Sequence, residues 1–333
     1  GQEARPQSRD ASRYDSVIGA SPCGWSWGCI HGVNVIPTSR PSSWAIRLAA
    51  SWDLFGNGKT ALKANAGKYV ASAALGYAEP AGPPQLRAAL AKLLSARRGL
   101  SVREDELLVT RGSQMGLALA AMSLLKPGDV VAVEALGYQP AWTALQQAGA
   151  RILPIPVDEQ GLSVPLLAAA CERQPIRAVY VTPHHQYPTT VPLSPGRRLS
   201  LLQLAARQRV AILEDDYDHE FHYEGRPLLP LKSADDAGSV VYVGTLSKVF
   251  APGVRIGYVV APRPVLREMT ARRYYLDRQG DQVTEAALAE LLEDGELERH
   301  TRRMRRLYHA RRDACAAELT KHLASALEFQ VPS

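Results

Sequence analysis

The chain has 333 residues, of which 46% are hydrophobic and 22% charged, a composition that suits a globular protein with a sizeable core. Its formal net charge of +6 admits a nucleic-acid or membrane-surface partner, but much of the basic excess lies in one run, residues 300–312. The longest apolar stretch, residues 115–125, is too short to span a bilayer, and the polar N-terminus lacks a signal-peptide core. These features predict a cytoplasmic protein without a membrane partner.

Metal binding has weak support in the sequence. None of the four cysteines forms a CxxC pair or has a histidine at zinc-ligand spacing, so free thiols in a reducing compartment are expected. His219 and His222, close to Asp218, are the one arrangement that suggests a metal. We predict no metal, because a family resemblance given below explains this segment better.

The first 72 residues differ from the rest of the chain. They contain four of the five tryptophans and many Gly, Ser and Pro residues, without a sustained helical or strand period. We assign residues 1–72 no function and expect them to be foreign to the rest of the chain, a divergent lead-in to it, or disordered.

From about residue 75, short apolar strands alternate with helices. Helices are expected around a leucine stripe at residues 86–94, at 114–125, at 140–148, and from residue 285 onwards. Strands are predicted at residues 106–109, 129–133, 151–157, 177–182, 209–214, 240–244 and 256–260. The alternation predicts an α/β fold with a mostly parallel sheet and helices on both faces, in which ligands bind at the carboxyl ends of the strands.

A lysine follows the predicted strand at residues 240–244. Such a lysine is usually a surface residue. Here Thr245 and Ser247 precede Lys248, and Arg255 follows it by seven residues. Hydroxyl groups and an arginine are the donors that a phosphate monoester needs beside an imine-forming amine.

Three other strand ends carry polar or aromatic residues. Residues 214–216 are acidic and could form a magnesium site, a general acid/base pair or a helix cap. Residues 110–114 join a strand to a helix and could bind an anion at the helix start, or Ser113 could simply be the N-cap. Tyr138, after the strand at 129–133, could stack on a flat ring.

Together these segments resemble the class I/II aminotransferases of pyridoxal 5′-phosphate (PLP) fold type I. Within them, the chain is most similar to the aminotransferase-like domain of MocR-type regulators of the GntR family. The resemblance covers roughly residues 75–333 and rests on five motifs in order, at residues 110–114, 137–138, 214–218, 247–248 and 251–257. It implies a PLP-binding large domain at 73–298, and a linking helix with the start of a small domain at 299–333, most of that small domain being missing.

The resemblance implies three catalytic residues. Lys248 would form the Schiff base with PLP and then move the proton at the substrate α-carbon. Asp215 would pair with the pyridinium nitrogen, and Tyr217 would contact the phenolic oxygen of the ring. Tyr138 would stack on the ring.

The phosphate contacts and the dimer also follow from the resemblance. The family's site is shared across a homodimer, so the subunits complete each other's phosphate sites. The residues implied to surround the phosphate are Ser113, Gln114, Thr245, Ser247, Arg255 and, from the neighbouring subunit, Tyr77.

The chain departs from the family pattern at three places. Residues 184–190, HHQYPTT, replace an Asn-Pro-Thr-Gly element, so His185 or Gln186 is expected to contact the ring, and Thr190 in place of Gly is expected to strain the turn. Residues 1–72 show no helix-turn-helix. The chain also ends at Ser333, before the small-domain arginine that grips the substrate carboxylate in this family, so weak turnover is expected.

Two functions follow as hypotheses. The first is a PLP-dependent aminotransferase that transfers an amino group between an amino acid and a 2-oxo acid through a Lys248 Schiff base. The alternative is the ligand-sensing domain of a MocR-type transcriptional regulator without robust turnover, with DNA as a partner only if the intact gene encodes a helix-turn-helix. The basic run at 302–312 could itself bind nucleic acid, but its intact apolar stripe favours a solvated helix.

Overall fold

The computed structural model describes residues 44–45, 69–70, 77–223, 225, 228–323, 326 and 329–332. The predicted segment 1–72 lies outside these residues, except for the paired short strands β1 (Trp44–Ala45) and β2 (Tyr69–Val70). The elements from β2 onwards belong to one compact unit. The predicted domain boundary at residue 72 stays a prediction.

The strands from Leu107 onwards form a large sheet and a small hairpin. They are β3 (Leu107–Thr110), β4 (Val130–Glu134), β5 (Arg151–Ile155), β6 (Val157–Asp158), β7 (Gly161–Leu162), β8 (Ala178–Val181), β9 (Ala211–Asp216), β10 (Val240–Thr245) and β11 (Gly257–Val260). The large sheet has the order β3-β11-β10-β9-β8-β4-β5, and β6 pairs with β7. Only β11 runs antiparallel to its neighbours in this sheet. The prediction of a mostly parallel sheet is confirmed.

Eight α-helices surround the sheet in the part of the chain that the structure describes. They are α1 (Pro84–Arg98), α2 (Ser113–Leu124), α3 (Gln139–Gln147), α4 (Val164–Arg173), α5 (Pro195–Gln208), α6 (Arg263–Leu276), α7 (Gln282–Glu293) and α8 (Glu296–Leu323). The helices predicted around 86–94, 114–125 and 140–148 correspond to α1, α2 and α3. The domain boundary predicted at residues 298/299 falls inside α8. Among the described helices, none combines the length and apolar character that a membrane crossing requires.

Alternate residues of the central strands pack against different helices, because successive side chains of a strand point to opposite faces. Leu213 and Val243 lie in the cluster that includes buried residues of α2, α3 and α6. Ile212 packs with α4 and α5, whereas Tyr242 packs with α1 and α7. Both faces are therefore covered, as predicted, and odd-numbered residues of β9 face α2 and α3.

Candidate functional site

The candidate site lies at the carboxyl edge of the sheet. Strands β4, β8, β9 and β10 are parallel neighbours. Strand β3 runs in the same direction, since β11 is antiparallel to both β3 and β10. The last residues of these strands and the loops that follow them carry most of the predicted site residues, so the topology brings these to one edge.

Asp215 is a buried carboxylate with one unused oxygen. It is 4% exposed, and its Oδ2 accepts a hydrogen bond of 2.8 Å from the hydroxyl of Tyr180 on β8. Its Oδ1 is buried without a hydrogen-bond partner among the described residues. Burial is the main reason that the pKa of Asp215 is raised to about 7. The nearby charge of Asp216 also raises this pKa, whereas the hydrogen bond from Tyr180 lowers it. A cationic or N–H group placed against Oδ1 would favour the ionised form.

Asp216 points to the opposite face of the sheet, where its carboxylate contacts other side chains of the fold. Its Oδ2 accepts a 2.6 Å hydrogen bond from the Tyr242 hydroxyl and lies 3.4 Å from Nη1 of Arg98, which is 1% exposed. Burial opposes ionisation, but the charge of Arg98 and the contacts with His219 and His184 together outweigh it and hold the pKa of Asp216 far below its ordinary value. Arg98 also pairs with Glu220. Asp216 thus compensates a buried guanidinium.

The raised pKa of Asp215 predicts how the stability of the cofactor-free protein depends on pH. The ordinary pKa of an aspartate is 3.8. Between that pH and about pH 7, the folded chain holds a proton on Asp215 that the unfolded chain has released. The unfolding free energy should therefore fall as the pH rises through this range, by up to about 1.4 kcal/mol per pH unit for each such group. Burial also raises the pKa values of Glu134 and Glu214 to about 7, which gives the same sign.

Urea unfolding of the wild type and the Asp215→Asn variant across this pH range measures the contribution of Asp215. The variant cannot titrate at this position, so its slope should be shallower. Equal slopes would mean that Asp215 is already ionised in the folded protein.

The start of α2 and the side chain of Arg255 lie next to each other. Gly112 precedes α2 with a φ of 77°, and a Cβ atom built on it would lie 3.0 Å from Nη2 of Arg255. A Cβ on Gly257 would lie 2.5 Å from the carbonyl carbon of Gly112. Strand β11 can therefore come this close to the start of α2 only because its first residue is glycine. The unsatisfied N–H groups at a helix start and a guanidinium are both phosphate ligands.

Two predicted phosphate contacts lie at this helix start. Ser113 is the first residue of α2 and is half-buried. The side chain of Gln114 donates a 2.7 Å hydrogen bond to the carbonyl of Pro140, which ties α2 to α3. The side-chain nitrogen of Gln114 is therefore engaged in packing, and its backbone N–H is the group at the helix start.

The turn after β10 presents Lys248. The Thr245 hydroxyl donates to the carbonyl of Ile256 at 3.2 Å and accepts from the backbone N–H of Ser247 at 3.1 Å. Thr245 therefore fixes the turn. The hydroxyl of Ser247 is buried, and within the described ranges it has no hydrogen-bond partner. Lys248 is exposed and lines a cleft of about 370 Å³.

His185 and Tyr217 line the same cleft. The Tyr217 hydroxyl donates to the carbonyl of His185 at 3.2 Å. Burial raises the pKa of Tyr217 above its ordinary value, so the hydroxyl stays a hydrogen-bond donor. Nδ1 of His185 lies 2.9 Å from Oδ2 of Asp218.

The side chain of Gln186 forms its hydrogen bonds within its own loop and with the neighbouring loop at Leu136. Its Nε2 donates to the carbonyls of Leu136 and Tyr187, both at 2.6 Å, and its Oε1 accepts from the N–H and hydroxyl of Thr189. Thr190 has a φ of 63°, so the backbone strain expected from Thr in place of Gly is present. Gln186 therefore positions the loop that carries His185.

Tyr138 and Tyr77 take different positions. Tyr138 precedes α3, is half-buried and makes an edge contact of 5.7 Å between ring centroids with Tyr187. Tyr77 is 76% exposed, with the guanidinium of Arg278 3.8 Å from its ring centroid. Tyr77 therefore lies at the protein surface.

Sequence reasoning missed Tyr180 and Arg98. Tyr180 is a polar-tipped residue in an otherwise apolar buried strand, and the predicted pairing of neighbouring strands could have placed it beside Asp215. Arg98 ends α1 on the buried leucine face, more than a hundred residues before Asp216. No local pattern connects Arg98 to Asp216.

Comparison with known proteins identifies the family. The family model "Aminotransferase class I and II" matches residues 46–332. The chain belongs to the class I and II aminotransferase family. PLP is the cofactor on which these proteins depend.

The relatives include regulators and enzymes. The chain is 35% identical over 250 residues to the probable rhizopine catabolism regulatory protein MocR of Rhizobium meliloti, covering 75% of this chain and 50% of MocR. It is 31% identical to aromatic-amino-acid aminotransferase 1 of Thermococcus litoralis, covering 79% of this chain and 64% of that enzyme. The chain thus spans about half the length of the regulator and under two thirds of the enzyme.

Solved structures confirm the fold. An archaeal alanine:glyoxylate aminotransferase superimposes with a TM-score of 0.74 at 32% identity, covering 77% of this chain and 65% of that one. The kynurenine aminotransferase of Pyrococcus horikoshii gives a TM-score of 0.73, also at 32% identity, covering 78% and 65%. Both support the PLP fold type I that the motifs predicted.

The residues at the site fit PLP. The unused Oδ1 of Asp215 suits the protonated nitrogen of a pyridine ring, because it is buried and lacks a donor. The start of α2, Arg255 and the free hydroxyl of Ser247 suit a phosphate dianion. Lys248 provides the amine in the cleft beside Tyr217.

Proposed function

We propose that this chain is the cofactor-binding part of a PLP-dependent aminotransferase that acts on an amino acid and a 2-oxo acid. The observation that carries the proposal is the unused, buried oxygen of Asp215. It lies on the sheet face that α2 and α3 cover, while Asp216 is engaged by Arg98 on the other face. When bound, PLP supplies a protonated ring that accepts the electron pair released at the substrate α-carbon.

The side chains of this chain have distinct tasks in the proposal. The amine of Lys248 would anchor PLP, and would then take the proton from the substrate α-carbon and pass it to the cofactor, after which water releases the 2-oxo acid. Asp215 holds the proton on the ring nitrogen, and the Tyr180 hydroxyl keeps Asp215 oriented. Tyr217 would turn its hydroxyl from the His185 carbonyl and donate a hydrogen bond toward the phenolic oxygen of the ring.

The remaining predicted residues bind and position the cofactor. Tyr138 stacks on the ring, and His185 contacts it from the loop that Gln186 positions. The backbone at Ser113 and Gln114, with Ser247 and Arg255, binds the phosphate, and Thr245 fixes the turn that carries Ser247.

A half-reaction tests this function. The purified chain is loaded with PLP and mixed with single amino acids, while visible spectra and the release of 2-oxo acid are recorded. A spectral change accompanied by one equivalent of 2-oxo acid supports the proposal. 2-Aminoisobutyrate, which lacks an α-hydrogen, is the control and should yield no product by this route.

The ligand-sensing domain of a transcriptional regulator is the second candidate function, and it is supported by relatives that are regulators. Besides MocR, the HTH-type transcriptional regulator TauR of Rhodobacter capsulatus is 38% identical over 217 residues, 65% of this chain and 44% of TauR. If the chain is a sensing domain, amino acids should change the spectrum of the bound cofactor without releasing 2-oxo acid. The same half-reaction therefore separates the two functions.

The homodimer gives a complementation prediction. Tyr77 is exposed, and we propose that its hydroxyl reaches the phosphate of the partner subunit. Neither Lys248→Ala nor Tyr77→Phe chains should form a fully intact site alone. Mixed after unfolding and refolding together, they should form heterodimers with one intact site and exceed the half-reaction rate of both parents.

The control is a mixture of Lys248→Ala chains with Tyr275→Phe chains, since Tyr275 is another exposed tyrosine. The Tyr275→Phe chains keep both Lys248 and Tyr77, so mixing should only dilute their intact sites. If mixing Lys248→Ala and Tyr77→Phe gives no gain over the parents, each site is built within one chain.

A further inference from the structure

Four histidines cluster beside the candidate cofactor site. His184 and His185 follow β8, while His219 and His222 follow β9. The ring centroid of His184 lies 4.4 Å from that of His185, 4.6 Å from that of His219 and 5.7 Å from that of His222. The proposed PLP contacts use only His185, so the cluster needs a separate explanation.

Three of these histidines can meet around one ion. One ring nitrogen each from His184, His185 and His222 lie within 4.8 Å of one another. A tetrahedral zinc ion binds imidazole nitrogens at about 2.0–2.1 Å, which places the nitrogens roughly 3.4 Å apart. The imidazoles would therefore rotate to bring their nitrogens from within 4.8 Å to this spacing.

The surroundings resemble those of a metal ligand set. Nδ1 of His185 is engaged by Asp218 at 2.9 Å, which leaves Nε2 for an ion, and a carboxylate behind a histidine is the usual second contact of such a ligand. His184 is 6% exposed, and its Nε2 is buried without a hydrogen-bond partner in the described part of the chain. Oδ1 of Asp218 is also buried and has no such partner there.

We propose that His184, His185 and His222 bind a divalent transition-metal ion of the zinc class, with water in a fourth position. Imidazole ligands bind zinc, copper and nickel well, whereas magnesium and calcium prefer oxygen ligands. His222, with His219, also lines a cavity of about 270 Å³. The inference does not depend on aminotransferase turnover, although it shares His185 with the proposed cofactor site.

The ion would connect two loops of the candidate cofactor site. His184 and His185 belong to the loop that Gln186 positions, and His222 lies five residues after Tyr217. An ion bound to all three would fix His185 relative to the segment that carries Tyr217. Metal binding is then expected to stabilise the fold as well as the site.

Calorimetric titration with ZnCl₂ tests the site. The tag-free, PLP-loaded full chain is first treated with a chelator and desalted. The wild type should bind one equivalent of zinc. His222→Ala and His184→Asn should each raise the dissociation constant about 100-fold, and Asp218→Asn, which alters only the second contact, about 10-fold.

His322→Ala is the matched control, since this exposed histidine pairs with Glu318 at the far end of α8, and its zinc affinity should equal that of the wild type. X-ray absorption of the zinc-loaded wild type provides a second measurement that does not depend on the folding of a variant. Three imidazole nitrogens at about 2.0–2.1 Å support the site. A shell dominated by oxygen or sulfur, or equal zinc affinity in the wild type and folded His222→Ala, overturns it.

Discussion

Replacing Lys248 by Ala is expected to lower the half-reaction rate at least about 10²- to 10⁴-fold, the range that a positioned acid–base group contributes. The loss should reach the upper end, because Lys248 is proposed both to anchor PLP and to move the α-proton. Since Lys248 is exposed in a turn, its truncation should leave the fold intact. Single-turnover release of 2-oxo acid measures the effect.

Two observations complete this test. Lys126→Ala, an exposed lysine between α2 and β4, should react as the wild type does. In the Lys248→Ala variant, an added small amine should restore part of the rate by replacing the missing base. If Lys248→Ala reacts at the wild-type rate, the proton is moved by another residue and the proposed role of Lys248 is wrong.

Asp215→Asn is expected to reduce α-proton abstraction by about 10²-fold or more, because an amide cannot keep the ring nitrogen protonated as a carboxylate does. Asn is similar in size to Asp, and its side-chain oxygen can still accept the hydrogen bond from Tyr180. The unfolding free energy at low pH should therefore change little. Single-turnover spectra with a deuterated substrate isolate the proton-transfer step.

Asp216→Asn is the matched control and should behave in the opposite way. It weakens the contacts to Tyr242 and Arg98 and should destabilise the fold by about 1–3 kcal/mol, because a buried guanidinium loses charge compensation. Its half-reaction rate below the unfolding temperature should change less than that of Asp215→Asn. A larger catalytic loss in Asp216→Asn would mean that Asp216 faces the ring.

The sheet and the motif positions could be predicted from the sequence because both depend on local patterns. Short apolar runs such as residues 240–244 and 257–260 are buried strands, and a parallel sheet brings their carboxyl ends to one edge. The sequence also selected Asp215 over Asp216. The alternation of side chains along β9 supports that choice, since the two carboxylates point to opposite faces.

The contacts that decide the detailed geometry could not be predicted, because they join residues far apart in the chain. Arg98 meets Asp216 across 118 positions, and the amide of Gln186 reaches the carbonyl of Leu136 across 50. The histidine cluster is another example. From the sequence, only His219 and His222 suggested a metal, and the fold brings His184 and His185 from another loop to them.

The central claim is that Lys248 anchors PLP in this chain, and borohydride reduction tests it most directly. The PLP-loaded protein is reduced, digested and analysed by mass spectrometry for lysines that carry a pyridoxyl group. We expect a single modified peptide, with the group on Lys248, and no such label in the Lys248→Ala variant. Stoichiometric labelling of a different lysine, or no covalent label on a protein that retains PLP, would contradict the assignment.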